Sequence, residues 1–352
     1  MTTLPFSDEQ LAGQRLIAGF EGTALNNDLR YFIDTLKIGG VVLFSRNLTT
    51  PEQIKDLCLS VQRYARANGQ PPLIIAIDQE GGTVARLKAP FTLFPGNSKM
   101  KDKKEAEHFA RVTAKELNDI GVNMNLAPVM DVLPLDISTG HFVMTERAFG
   151  NDPQWVGDMG VTIISCLQQQ GIMAVAKHFP GIGRTTLDSH QDMPVLDTDK
   201  EALSTTDLVP FNAAIHCGVA GIMLSHIRYR PLDSRWPASL SRPIACDLLR
   251  HQMGFKGITM TDDLEMGAIV KYYDIPTAIS QILHAEVDVA MICRQRSHVE
   301  NAFTEIVKLI KDDDLIKAKG EAAVDRIMAQ KERYCYRENT SLSIAATIPF
   351  FK

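Results

Sequence analysis

Short apolar, β-branched runs recur along the chain, and each gives way to polar or glycine-rich residues and then to a helical pattern. Eight such runs stand out: Leu16–Phe20, Gly40–Phe44, Leu73–Ile77, Val122–Val129, Ala174–Phe179, Gly221–Ser225, Gly257–Thr261 and Val289–Cys293. They are continuous rather than alternating, which suits strands buried on both faces, as parallel strands are. Their spacing of roughly 24 to 50 residues leaves room for a crossover helix each time, which parallel pairing requires. Helix starts are marked as well. Ser7-Asp8-Glu9-Gln10 and Thr50-Pro51-Glu52-Gln53 read as capping boxes, the second with proline at the first helical position. Asp152-Pro153 opens another helix, and the amphipathic stretch Leu240–Met253 stops at Gly254. Two more helical patterns, Val299–Ile310 and Asp314–Gln330, follow the eighth run. The alternation predicts an α/β fold, a single (β/α)8 TIM-type barrel, with a doubly wound open sheet as the alternative.

Length alone points elsewhere. The 352 residues, at roughly 150 per domain, give about two domains as a prior. Eight strand–helix units between residues 16 and 311 absorb most of that length, and no Pro/Gly/Ser-rich linker divides the chain. The expectation is one catalytic barrel over residues 1–334 and a C-terminal tail over 335–352. The sticky run Ile348-Pro349-Phe350-Phe351 is expected to pack back on the barrel.

Composition narrows the class. With 45% apolar and 22% charged residues the chain reads as globular, and its net charge of −5 gives no electrostatic case for a nucleic-acid partner. No apolar run approaches the roughly 18 residues of a membrane span. The start, MTTLPFSDEQLAGQR, has no basic residue before Arg15 and no apolar core, so it does not read as a signal peptide. Six cysteines without a close pair fit free thiols in a reducing compartment. A cytoplasmic, monomeric protein is expected.

In such barrels chemistry sits at the C-terminal strand ends. Those ends carry Glu21, Arg46, Asp78 with Glu80, Asp131, Lys177-His178, Ser225-His226, Asp262-Asp263 and Arg294. A solvated rim would also collect charge, but so many ionisable groups on one rim favour a binding site. Two segments are informative. In Ala176–His190, a lysine and a histidine leave a buried strand, where they cost desolvation unless bound. A Gly-x-Gly loop and then Asp188-Ser189-His190 follow. Asp-x-His spacing lets a carboxylate orient an imidazole for acid/base work, although such pairs are commonly surface accidents. The Gly loop lacks the Walker ending and the Rossmann spacing of phosphate cradles. In Gly254–Met266 an apolar strand runs into Asp262-Asp263, which reads either as a helix cap or as a carboxylate nucleophile for glycosyl transfer.

Taken together these residues resemble glycoside hydrolase family 3, in its β-N-acetylglucosaminidase (β-hexosaminidase) branch. The resemblance rests on the Lys177–His190 signature, on Ile77–Leu87, Asn125–Val132, Glu146–Gly150 with Asp152-Pro153, Pro237–Ser241 and Gly254–Met266. It runs from about residue 7 to residue 330. It implies a retaining exo-β-N-acetylglucosaminidase with Asp262 as nucleophile, His190 as acid/base and Asp188 as its partner. Asp78, Arg86, Arg147, Lys177 and His178 would hold the hydroxyls of N-acetylglucosamine, and Asp263 would be structural. A histidine then stands where most glycosidases use a second carboxyl group, and its ordinary pKa of about 6.5 suits that exchange near neutrality. The implied substrate is a soluble, N-acetylglucosamine-terminated muropeptide fragment from peptidoglycan recycling; no cofactor and no metal are expected.

Three departures from the family pattern bear on the site. Thr83 stands where arginine is common, and Ile182 and Arg184 stand where many members have His and Asp. The segment Leu135–Thr145 also differs, which touches the aglycone contacts. The glycines and the absence of bulky apolar anchors in Gly181–Leu187 predict a mobile loop. Other readings are phosphorolysis by the same residues, a broader β-glycosidase and a sugar-binding barrel without catalysis. Metal-dependent hydrolysis lacks an early His-x-His cluster. Of the remaining histidines, His108, His141, His216, His251, His284 and His298 read as structural or solvated.

Overall fold

Each apolar run becomes a strand because both its faces find apolar partners. In the computed structural model, which describes residues 6–135 and 142–336, the strands are β1 (Leu16–Ala18), β2 (Gly40–Leu43), β3 (Ile74–Ile77) and β4 (Met124–Asn125). β5 (Met173–Phe179), β6 (Gly221–Leu224), β7 (Ile258–Asp263) and β8 (Val289–Ile292) complete the set. All pairings among them are parallel, and the sheet closes through β1, which pairs with both β2 (Ile17↔Gly40) and β8 (Leu16↔Ala290). A helix lies between each strand and the next, so the architecture is a single (β/α)8 barrel. All eight predicted strands are present. The fourth shrinks most: its apolar run extends to Val129, but Pro128 has no N–H to give the ladder.

Alternation along each strand divides the core in two. Ile17, Val42, Ile74, Met124, Met173, Val175, Met223, Met260 and Met291 fill the barrel's interior. Leu16, Val41, Leu43, Ile75 and Ile77 face the helix layer. Five interior methionines fill the lumen with unbranched side chains that adapt to its irregular shape. The bottom is plugged by Ile327 and Tyr334 of the last helix, Asp314–Tyr334.

The helix signals hold with two adjustments. Ser7 caps Asp8–Gln14 with both halves of a capping box. Thr50 accepts from Gln53 N–H, but the Gln53 side chain reaches back to Thr49 rather than to Thr50, so that box is not closed. The predicted helix Leu240–Met253 is a 3₁₀ turn, Ala238–Leu240, followed by a π-helix, Pro243–Gln252. Gly254 ends it at φ +73°, a left-handed backbone that glycine adopts freely. Among the described residues, no helix is long and apolar enough to cross a membrane. The run Ile348–Phe351 and His141 lie outside the described residues.

Candidate active site

The C-terminal ends of β3 and β5 are joined by a buried ionic network. Lys177 Nζ stands 2.8 Å from Asp78 Oδ1 and 2.6 Å from Glu80 Oε1. Arg86 Nη2 completes Asp78 at 3.0 Å. Arg147 grips Glu80 with both arms, Nη2–Oε1 at 2.7 Å and Nε–Oε2 at 2.9 Å, and its Nη2 lies 3.4 Å from His178 Nε2. His178 Nδ1 meets Asp131 Oδ2 at 2.8 Å. Asp131 on Nδ1 and the Arg147 guanidinium beside Nε2 fix the orientation of the ring. Lys177, Glu80 and Asp131 are almost wholly buried, where unpaired charges would cost several kcal/mol each. Burial pushes the Asp78 and Glu80 carboxyls up, but Lys177 with Arg86 or Arg147 outweighs it and holds both below the usual range.

All five residues expected to bind sugar, Asp78, Arg86, Arg147, Lys177 and His178, thus share one network. Glu80 and Asp131 hold it together, and sequence reasoning placed them on the rim without giving them a role. The signal for Glu80 was its place two residues after Asp78, opposite two cations whose positions only the fold brings near. The network is a rigid set of donors and acceptors suited to hydroxyl groups.

Asp262, near the end of β7, accepts one hydrogen bond among the described residues, from Asp263 N–H to Oδ1 at 2.8 Å. Among the described residues its Oδ2 has no hydrogen-bond donor. Burial raises its pKa, yet His226, His178 and Lys177 and the Asp263 N–H overcome this and keep the carboxyl below its ordinary value. The group is an anion with one free oxygen. Asp263 is used differently: its Oδ1 accepts the backbone N–H groups of Glu265 (3.0 Å) and Cys293 (3.2 Å). Burial and the neighbouring Glu265 and Asp262 push it up to about 6. His226 Nε2 meets the Asp263 carbonyl at 2.9 Å and its Nδ1 meets Ser239 Oγ at 2.7 Å, locking the ring beneath the turn.

The Asp188–His190 pair stands on the following loop. Asp188 Oδ1 accepts from both the backbone N–H and Nδ1 of His190, each at 2.9 Å, which leaves Nε2 open on an exposed ring. Burial raises the Asp188 carboxyl, but the two His190 bonds and Arg147 lower it further. This segment is hung on the turn after β7. Gly267 N–H donates to the His190 carbonyl (3.2 Å) and Ala268 N–H to the Ser189 carbonyl (3.0 Å). Tyr272 OH donates to Asp192 Oδ1 at 2.6 Å.

The loop between them is anchored at its near end, contrary to the expectation from its glycines. Ile182 is buried, its N–H donates to Asp131 Oδ1 (2.8 Å), and Tyr229 OH donates to the Gly181 carbonyl (2.8 Å). Gly183 packs so closely that a Cβ would lie 1.9 Å from the Val132 carbonyl. Arg184 reaches the fully buried Asp207 at 3.0 Å. The departures at 182 and 184 thus tether the loop's first half. Leu187, in its second half, is exposed.

A cavity of about 510 Å³ lies elsewhere, lined by Phe94, Met100, Lys104 and His108 among others, and none of these site residues borders it. The one converging trio of metal-ligating side chains among the described residues, Cys246, Asp247 and His251, is on the helix before β7 rather than at this rim.

Residues 8–330 match the family model described as the glycosyl hydrolase family 3 N-terminal domain. The chain is 31% identical to beta-hexosaminidase A of Pseudoalteromonas piscicida over 97% of its own length, and it spans 64% of that relative. It is 34% identical to a beta-hexosaminidase of Nitrosomonas eutropha, over 83% of this chain and 84% of the relative. Its fold superposes with a TM-score of 0.89 and 31% identity on a family 3 beta-N-acetylglucosaminidase from Paenibacillus sp. FPU-7, covering 98% of this chain and 65% of that one. It also matches a beta-N-acetylhexosaminidase from Beutenbergia cavernae, with TM-score 0.87 and 28% identity over 93% and 99% of the two chains.

Proposed function

The chain belongs to glycosyl hydrolase family 3, and from that membership we propose that it is a retaining exo-β-N-acetylglucosaminidase. The observation that carries the reading is the pairing of Asp262, an anion with a free oxygen, with the Asp188–His190 pair docked on the turn that ends Asp262's own strand.

Asp262 Oδ2 attacks the anomeric carbon while His190, protonated, gives the proton on Nε2 to the departing glycosidic oxygen. Asp188 holds Nδ1–H and stabilises the charged ring before transfer. A water then enters, His190 Nε2 takes its proton, and the hydroxide oxygen displaces Asp262 from the glycosyl carbon. Two inversions retain configuration. Asp78, Arg86, Lys177, His178 and Arg147 hold the sugar hydroxyls, and binding energy at these remote groups positions the anomeric carbon over Asp262. The substrate is a small N-acetylglucosamine-terminated muropeptide fragment. Six unpaired cysteines support a reducing, cytoplasmic setting.

The test is a panel of aryl β-glycosides and a muropeptide, with and without added phosphate. Cleavage of the N-acetylglucosaminide and the muropeptide, with free sugar of β configuration, is expected. A preference for glucosides would overturn the sugar assignment, and sugar 1-phosphate as the main product would overturn hydrolysis.

A further inference from the structure

On the barrel's outer layer, away from the sugar site, three ligating side chains converge on the π-helix Pro243–Gln252. Cys246 Sγ lies 3.9 Å from both ring nitrogens of His251. His251 Nδ1 lies 3.9 Å from Asp247 Oδ1. The three ligand atoms all fall within 4.8 Å of one another.

The convergence follows from the winding. In an α-helix, residues five apart point roughly 140° away from each other around the axis. In a π-helix the i→i+5 bond stacks them one turn apart, as the Met253 N–H to Leu248 carbonyl bond (2.9 Å) does here. Cys246 and His251 are such a pair.

None of the three is committed to another strong partner. The other ion pair of Asp247 is with Arg242 Nε, also at 3.9 Å, too long for a tight bridge. The geometric contacts of the Cys246 thiol are with His251 itself, and the His251 ring is largely exposed. An ion at the centre of the triangle would stand roughly 2.3–2.5 Å from each atom, against about 2.3 Å for zinc–sulfur and about 2.0–2.2 Å for zinc–nitrogen and zinc–oxygen bonds. A thiolate, an imidazole and a carboxylate are the donor set of a borderline-soft divalent transition metal.

We propose that Cys246, Asp247 and His251 form a binding site for a zinc-class divalent ion, with solvent in the fourth position. On binding, the Cys246 S–H bond is replaced by a sulfur–metal bond, and the proton passes to solvent. The thiolate and the Asp247 carboxylate neutralise the dication. Occupancy ties His251, at the helix's outer end, to the buried Cys246 and fixes the helix that leads into β7.

The test is cobalt titration of the full chain after chelator treatment. One equivalent of Co²⁺ is expected to bind with a near-ultraviolet thiolate-to-cobalt charge-transfer band. Cys246→Ser should lose that band, and His251→Ala, a change at an exposed ring that the fold tolerates, should weaken binding at least about tenfold. Both variants should keep the parent's glycosidase activity. No charge-transfer band in the parent, or a band that survives in Cys246→Ser or at unchanged affinity in His251→Ala, overturns the site.

Discussion

The backbone N–H of Gly267 donates to the carbonyl of His190 at 3.2 Å. The candidate acid/base is thereby registered on the turn that follows the candidate nucleophile's strand, so two groups 72 positions apart in the chain share one local frame. The approach depends on glycine, because a Cβ at 267 would lie 2.6 and 2.7 Å from the carbonyl oxygens of Gln191 and His190.

Gly267→Ala should therefore push the Asp188–His190 segment outward without disturbing the core. An ångström of misplacement can cost about 10²-fold in rate. The expected outcome is a fall in kcat of that order with KM nearly unchanged, larger for glycosides with poor leaving groups, which need the proton, than for activated aryl glycosides. Steady-state kinetics on a leaving-group series measures it. An equal loss across the series would mean that His190 does not act as the acid.

Asp262→Ala should remove turnover by about 10⁴-fold or more, because no second carboxylate stands ready to replace it. Asp263 is committed to backbone N–H groups of Glu265 and Cys293. Circular dichroism and the melting temperature should stay near the parent's. Retained hydrolysis of an aryl N-acetyl-β-glucosaminide would remove Asp262 from the mechanism.

Glu80→Gln tests the network rather than the chemistry. The amide leaves Lys177 and Arg147 with a lost charge in a buried site, and breaking one partner of such a network costs about 3 kcal/mol. A lower denaturant midpoint is expected, together with a raised KM, since Lys177 and Arg147 lose the anchor that aims them. An unchanged KM would show that these cations do not touch the sugar.

The barrel was legible because burial on both faces writes continuous apolar runs, and the eight runs map onto eight strands. Residues at strand ends were legible for the same reason, since a strand's end fixes where the next side chain emerges. Partnerships across the fold were not. Nothing local in Arg184 points to Asp207, and nothing in Gly267 announces that another loop lies against its Cα. The anchoring of the loop's first half was not legible either, because Ile182 reads as a lone aliphatic between glycines, whereas tertiary packing buries it and gives its N–H to Asp131.

At the opposite end of the barrel, Lys331 is fully buried and donates to Gln14 Oε1 at 2.6 Å. Burial lowers its pKa to about 8. An unfolded lysine has a pKa of about 10.4, so between those values the unfolded chain binds more protons than the folded one. Stability from this group therefore rises with pH: the burial cost is full below about pH 8 and fades as pH approaches the unfolded pKa. Lys331→Met removes that cost but leaves Gln14 Oε1 without its donor, a loss of about 1–3 kcal/mol that does not change with pH. The difference in unfolding free energy, variant minus parent, should thus fall by about 2 kcal/mol between pH 8 and pH 10. Urea melts of both proteins at the two pH values measure it, and groups common to both cancel in the difference. A constant difference would mean that Lys331 keeps its proton in the folded barrel.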